Sequence, residues 1–168
     1  MIPQIKKILY ATDLSKNSAY AFYFAVDMAR KRDARIIILH AIEPVPPYLM
    51  AYEQTLSEIQ RKNVEEAIEE IKKRLNNFCE KVEGRIGAPC HDLVSGIVVR
   101  LGYPVEEILK MAEEEGCDLI VLGSHGKGFL LQTFLGSVSR SVLDRTRKPV
   151  FIIPLPSEKT DIDWDKIL

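Results

Sequence analysis

Short aliphatic runs alternating with longer amphipathic stretches set the tightest limit on what this chain can fold into. The clearest runs are KKILYAT at 6–12, ARIIILHAI at 34–42, CDLIVLG at 117–123 and PVFIIP at 149–154. None alternates apolar with polar residues, as a half-exposed strand would. A nearly continuous apolar run is what a strand covered on both faces requires. Such runs separated by helical patterns are the mark of parallel βα units.

The intervening stretches read as helices. After the first run Ser15 can cap a helix whose buried stripe is Ala21, Phe22, Ala25, Met28 and Ala29. The segment EPVPPYLMAY carries three prolines and is a loop. A long helix follows at about 55–82, with Val64, Ala67, Ile68, Ile71, Leu75, Phe78, Cys79 and Val82 on one face and a solvated Glu/Lys face opposite. A third strand falls near 93–100. Pro104 suits the first turn of the next helix, Val105, Ile108, Leu109 and Ala112 line its buried face, and Gly116 suits its end. A last helix lies near 137–146. Five parallel strands with interleaved helices make a doubly wound, three-layer α/β/α sandwich. Ligands of such sheets sit beyond the carboxyl ends of the strands, at the switch point in strand order. That places attention on Thr12 and Asp13, on His40 and Ala41, and on the segment that starts at Gly123.

Composition excludes several classes of partner. A chain of 168 residues with 46% hydrophobic and 28% charged residues suits one soluble domain, and a net charge of −1 gives no general attraction to nucleic acid or an anionic membrane. No run approaches the roughly 20 apolar residues of a bilayer span, and the N-terminal MIPQIKKILYATD lacks the apolar segment of a signal peptide. Cys79, Cys90 and Cys117 include no CxxC pair, so neither a disulfide framework nor a thiolate zinc site is expected. All three read as reduced packing residues, which points to the cytoplasm.

The segment GSHGKGFLLQTFLGSVS, residues 123–139, carries the chemistry. Its glycines at 123, 126, 128 and 136 let backbone N–H groups approach an anion. The helix opening at Gly136 and Ser137 adds unpaired N–H groups and the positive end of its dipole, with hydroxyls at Ser137 and Ser139. Familiar phosphate loops do not fit. A Walker loop would need glycine where Val121 stands, and a GxGxxG fingerprint would need it at Leu131.

The pattern that does fit is G-x2-G-x9-G-[ST], at Gly123, Gly126, Gly136 and Ser137. In this the chain resembles the ATP-binding branch of the universal stress protein family. The likeness covers about residues 5–154: the first strand with Asp13, the second at Ile38–Ala41, the helix entrance Gly102–Ile108, and the fourth and fifth strands. It implies strand order 3-2-1-4-5, a nucleotide-binding domain over 1–156, and a C-terminal tail over 157–168 that contains Trp164. It further implies that Ala11, Thr12 and Asp13 approach the adenosine, that Ala41 meets adenine through its backbone, and that Leu122 lines the same pocket. Gly123, His125, Gly126, Gly136, Ser137, Val138 and Ser139 then surround ribose and phosphates, with Mg²⁺ or Mn²⁺ carried by the phosphates. A homodimer through Val150, Phe151 and Ile152 of the fifth strand is implied too, and a protein partner that reads the nucleotide state is compatible with it.

Plainer roles compete at several positions. Asp13 can cap the first helix, His125 can be a loop residue, and His40 reads as a packed core histidine. His91 beside Cys90 and Asp92 cannot close a metal site alone, because neighbouring residues point apart. Lys127 and Arg140 fit either phosphate or solvent, and Gly128 can be loop flexibility. No residue set for efficient phosphoryl transfer stands out, so a regulator without fast turnover is expected, with no catalytic or metal-ligating residues assigned. A slow hydrolase of the nucleotide α-hydrolase class is the first alternative, although Ala11–Ser15 carries neither an SGGxDS nor an HxGH motif. A structural dimer that binds no nucleotide is the second. A response-regulator receiver is disfavoured, since no acidic pair ends the first strand.

Overall fold

The computed structural model describes residues 1–44, 46, 57–87, 89–125 and 135–154. Five strands form one parallel sheet: β1 Lys7–Ala11, β2 Arg35–Ile42, β3 Val94–Leu101, β4 Leu119–Gly123 and β5 Val150–Ile153. Their order is β3-β2-β1-β4-β5, as expected. The helices are α1 Lys16–Arg32, α2 Ser57–Ile86, the single turn α3 Cys90–Leu93, α4 Pro104–Glu114 and α5 Ser137–Arg145. None of the described helices is long and apolar enough to cross a membrane.

Alternate residues of each central strand feed two separate cores. Ile8, Tyr10, Ile36, Ile38 and Val121 pack beneath α1 and α2 with Phe22, Ala25, Leu75, Phe78 and Val82. Leu9, Ile37, Leu39, Ile120 and Leu122 pack against α4 and α5 with Ile108, Met111, Ala112 and Val142. Because both faces must be apolar, the sequence shows unbroken runs. Between β1 and β2 the register pairs Leu9 with Ile37 and Ala11 with Leu39; between β1 and β4 it pairs Leu9 with Ile120.

The ends of the helices follow local chemistry. Ser15 caps α1, its side chain accepting from the Ser18 N–H. Pro104 stands in the first turn of α4, and Gly116 follows that helix with φ of +60°, a left-handed conformation that glycine adopts without strain.

The cysteines require a correction. Cys79 and Cys90, expected to be reduced, are joined as a disulfide with Cα atoms 5.7 Å apart, and only Cys117 remains a free buried thiol. After α2 ends at Ile86 the chain turns at Gly87, with φ of +65°, and α3 lays Cys90 back along the last turns of α2. Their separation in space lies within disulfide range, and with it falls the inference of a reducing compartment from the cysteine count. Most of the proline-rich loop, Gly126, Lys127, Gly128 and the tail with Trp164 lie outside the described residues.

Candidate functional site

The carboxyl ends of β1, β2 and β4 open into a cavity of about 920 Å³. The sheet reverses its direction of growth between β1 and β4, so this is the switch point where ligands of such folds lie. The described walls bring together Ala11, Thr12, Asp13, Ala41, Leu122, Gly123, His125, Gly136, Ser137, Val138 and Ser139. Every expected site residue is therefore at one cavity, apart from Gly126, which lies outside the described residues.

The β1 wall is held by its own polar groups. The Thr12 N–H donates to the Leu39 carbonyl (2.9 Å), Thr12 Oγ1 shares a hydrogen with Ser18 Oγ (2.8 Å) and also accepts from the Leu14 N–H (3.0 Å). Asp13 Oδ1 accepts from the Ser15 N–H at 3.0 Å, so Asp13 braces the helix entrance while Ser15 supplies the cap. Between them Leu14 sits at φ of +65°, a conformation uncommon outside glycine and frequent where backbone strain serves a site. His40 is buried, as its place on the strand suggested, but it also faces the cavity, and its Nδ1 stands 2.7 Å from the Thr12 carbonyl. Nearby, burial raises the Tyr10 phenol well above the usual tyrosine range, and its hydroxyl donates to the Ser18 carbonyl.

The opposite wall is a short weave between β4 and α5. The Ser124 N–H donates to the Ile153 carbonyl and the Gly136 N–H to the Ser124 carbonyl, both at 2.7 Å. Ser139 Oγ donates to the Gly123 carbonyl, also at 2.7 Å. The Ser139 hydroxyl thus ties α5 to β4, a task the sequence did not reveal. Ser137 is exposed at the mouth, and Ser124 Oγ lies 2.9 Å from His125 Nδ1.

The helix N-termini differ in a way that matters. α1 is capped by Ser15, and α4 carries Glu106 and Glu107 in its first turn. α5 begins on Gly136 with no side-chain cap and no acidic residue in its first turn. Among the described residues its leading N–H groups thus have no cap side chain of the kind such groups ordinarily find.

Sequence reasoning missed several wall residues. Ile71 of α2 and Ile108 of α4 line the cavity, as do Glu43 and Pro104. By periodicity Ile71 and Ile108 are simply core positions, since helical spacing does not separate a core wall from a pocket wall.

The profile of the universal stress protein family matches residues 4–154. Universal stress protein MJ0577 of Methanocaldococcus jannaschii is 32% identical over 165 residues, covering 88% of this chain and 94% of its own. The solved structure of MJ0577 superposes with a TM-score of 0.70 at 30% identity over 92% of this chain and 99% of that one. A universal stress protein solved in complex with cAMP shares the fold, with a TM-score of 0.55 at 22% identity over 90% of this chain and 98% of that one. By the extent of the profile match and by its identity to MJ0577, the chain belongs to the universal stress protein family.

Proposed function

We propose that this protein binds ATP in the cavity at the β1–β4 switch point and acts as a nucleotide-dependent regulator in stress response. The observation that carries the reading is the open N-terminus of α5. It faces a cavity of about 920 Å³, large enough for a nucleotide, and has neither a side-chain cap nor an acid to compete with a phosphate. The remaining wall suits the other end of the ligand: Ala11, Ala41, Leu122 and Ile108 offer apolar surface for a base, and Asp13 offers a carboxylate for ribose hydroxyls or ring amines.

The donors around the phosphate end are backbone amides, hydroxyls and the side chain of Arg140, which fit an anion and leave a divalent cation to the phosphates themselves. Mg²⁺ or Mn²⁺ would enter bound to ATP, where it neutralises phosphate charge and keeps most of its ligands from phosphate and water. Of the polar groups near that end, Ser139 is engaged at Gly123 and His125 at Ser124. This favours binding over fast turnover.

Self-association belongs to the same reading. Among the described residues β5 pairs with β4 alone, and the outer edge of such a strand invites pairing with a second copy. The Phe151 ring is half-buried against Phe24 (6.1 Å between centroids), so backbone pairing and Ile152 must supply much of the contact.

The test is calorimetric titration with ATP, ADP, AMP and cAMP, with and without Mg²⁺, beside identification of any nucleotide released when the purified protein is denatured. ATP should bind at one site per chain, more tightly with Mg²⁺. At about 100 times its Kd it should raise stability by roughly 2.7 kcal/mol. The absence of heat and of thermal shift with every nucleotide would refute the reading.

A further inference from the structure

Three consecutive carbonyls at the end of β4 are held by three different groups. Gly123 O accepts from Ser139 Oγ, Ser124 O from the Gly136 N–H, and His125 O from Asn17 Nδ2, each at 2.7 Å. The first two bonds come from α5 and its cap. The third comes from the opposite wall, because Asn17 is the second residue of α1, 108 positions away in sequence.

Asn17 is unusual in two further respects. It is 3% exposed, yet among the described residues its Oδ1 is the buried side-chain atom without a hydrogen-bond partner. A buried acceptor left unpaired is costly, so a residue there for packing alone would be better replaced by an apolar side chain of similar shape. Its amide also occupies the space beside Gly123. A Cβ at Gly123 would meet Asn17 Nδ2 at 2.7 Å and Cγ at 3.2 Å. The glycine that opens the loop therefore makes room for Asn17, and Asn17 makes the bond to His125.

We propose that Asn17 is a positioning residue of the nucleotide site. It fixes the plane of the peptide leaving His125, and it sets the spacing between the Gly123–His125 wall and the Thr12–Asp13 wall. The useful group is the donor Nδ2; the unpaired Oδ1 is what comes with it. Asn17 touches no ligand in this scheme. Its effect passes through the backbone of His125. The proposal rests on the reading that the cavity takes a nucleotide, and its test separates the two.

Asn17→Ala and Asn17→Asp, with the parent protein, are titrated with Mg·ATP at several pH values. The alanine variant should bind about tenfold more weakly at every pH, the loss expected when a buried hydrogen bond disappears. The aspartate variant keeps the shape, and donates to the His125 carbonyl only when protonated. Its affinity relative to the parent at the same pH should be about tenfold down near pH 8 and recover several-fold toward about pH 5, as the buried carboxyl takes up its proton. A merely structural role would lower unfolding midpoints equally and leave the affinity of both folded variants equal to the parent's at every pH. Parent-like affinity in both variants overturns the proposal, and so does a loss in Asn17→Asp that does not recover. If Asn17→Ala does not fold, the aspartate ratio decides. If the parent itself binds no nucleotide, the functional reading fails, and amide exchange at Ser124 in ligand-free protein decides the placement of Asn17. Exchange about tenfold faster in the variants, with the rest of the sheet unchanged, supports it. Unchanged exchange refutes it.

Discussion

Gly136 is where fold and function can be made to move in opposite directions. It caps α5 at φ −63° and ψ 157°, a conformation open to any residue, so nothing in the backbone demands glycine there. Aspartate is a better N-cap than glycine by a few tenths of a kcal/mol, and a negative charge at a helix N-terminus adds about 0.3–1 kcal/mol. Gly136→Asp should therefore stabilise the free protein by roughly 0.5–1 kcal/mol. The same carboxylate would accept from the first-turn N–H groups that a phosphate needs. It would also stand about 4 Å from that phosphate, a repulsion of about 4 kcal/mol at an effective dielectric near 20 and about 1 kcal/mol at the limit of full solvent screening. The loss of ATP affinity thus lies between about fivefold and a thousandfold. Gly136→Ser is the neutral control: a similar gain from capping, with a smaller loss of affinity because only the N–H groups are contested. Urea unfolding without nucleotide and calorimetry with Mg·ATP give the two numbers. If Gly136→Asp binds ATP like the parent, the phosphates do not sit at α5. If it unfolds more easily than the parent, glycine is required for packing, and the helix end is not open for a ligand's sake.

Reducing the Cys79–Cys90 bond, whose partners are 11 residues apart, should lower stability by about 3 kcal/mol on the loop-entropy estimate, and equal unfolding midpoints with and without reductant would refute it. Thiol labelling near pH 8 should find none of the three cysteines reactive in the native state, one on denaturation and three after reduction, because burial raises the Cys117 thiol to about 11 and keeps it protonated below that pH. Phe22→Ala, at a fully buried ring 5.0 Å from Tyr10 and 5.3 Å from Phe78, should cost about 3–5 kcal/mol in urea unfolding, whereas a loss below about 1 kcal/mol would mean that the β1–α1–α2 core collapses around the gap. Sedimentation at micromolar concentration should show a dimer that Ile152→Lys dissociates; a monomer with and without ATP would refute self-association, and a dimer indifferent to the substitution would place it elsewhere than the β5 edge.

The sheet was legible because burial on both faces leaves a local imprint. A central parallel strand holds few polar side chains on either face, so β1, β2 and β4 appear as mostly apolar runs whose limits fall within two residues of those observed. β3 was harder to place because it is an edge strand that admits Ser95, Gly96 and Arg100. The disulfide left no such imprint. That α3 returns Cys90 to Cys79 depends on where α2 ends and how Gly87 turns, and eleven residues of mixed sequence do not state either.

The site was half legible, for a related reason. The spacing of Gly123, Gly136 and Ser137 is a linear pattern, and it points to the end of the sheet where the cavity opens. What each residue does there depends on neighbours far away in sequence. The pattern suggests that backbone meets phosphate at Gly123, and the structure adds that the space beside its α-carbon is filled by Asn17. Ser139 was read as a hydroxyl for the ligand, yet it donates to Gly123. Gly136, by contrast, leaves the helix end uncapped and needs no special backbone angle. The glycines of one motif therefore sit in different settings, the first against Asn17 and the second at an uncapped helix end. A substitution at Gly123 that abolished binding would not locate the phosphates, because Asn17 and His125 would be displaced first. Gly136, whose backbone angles do not ask for glycine, is the better place to report on the ligand.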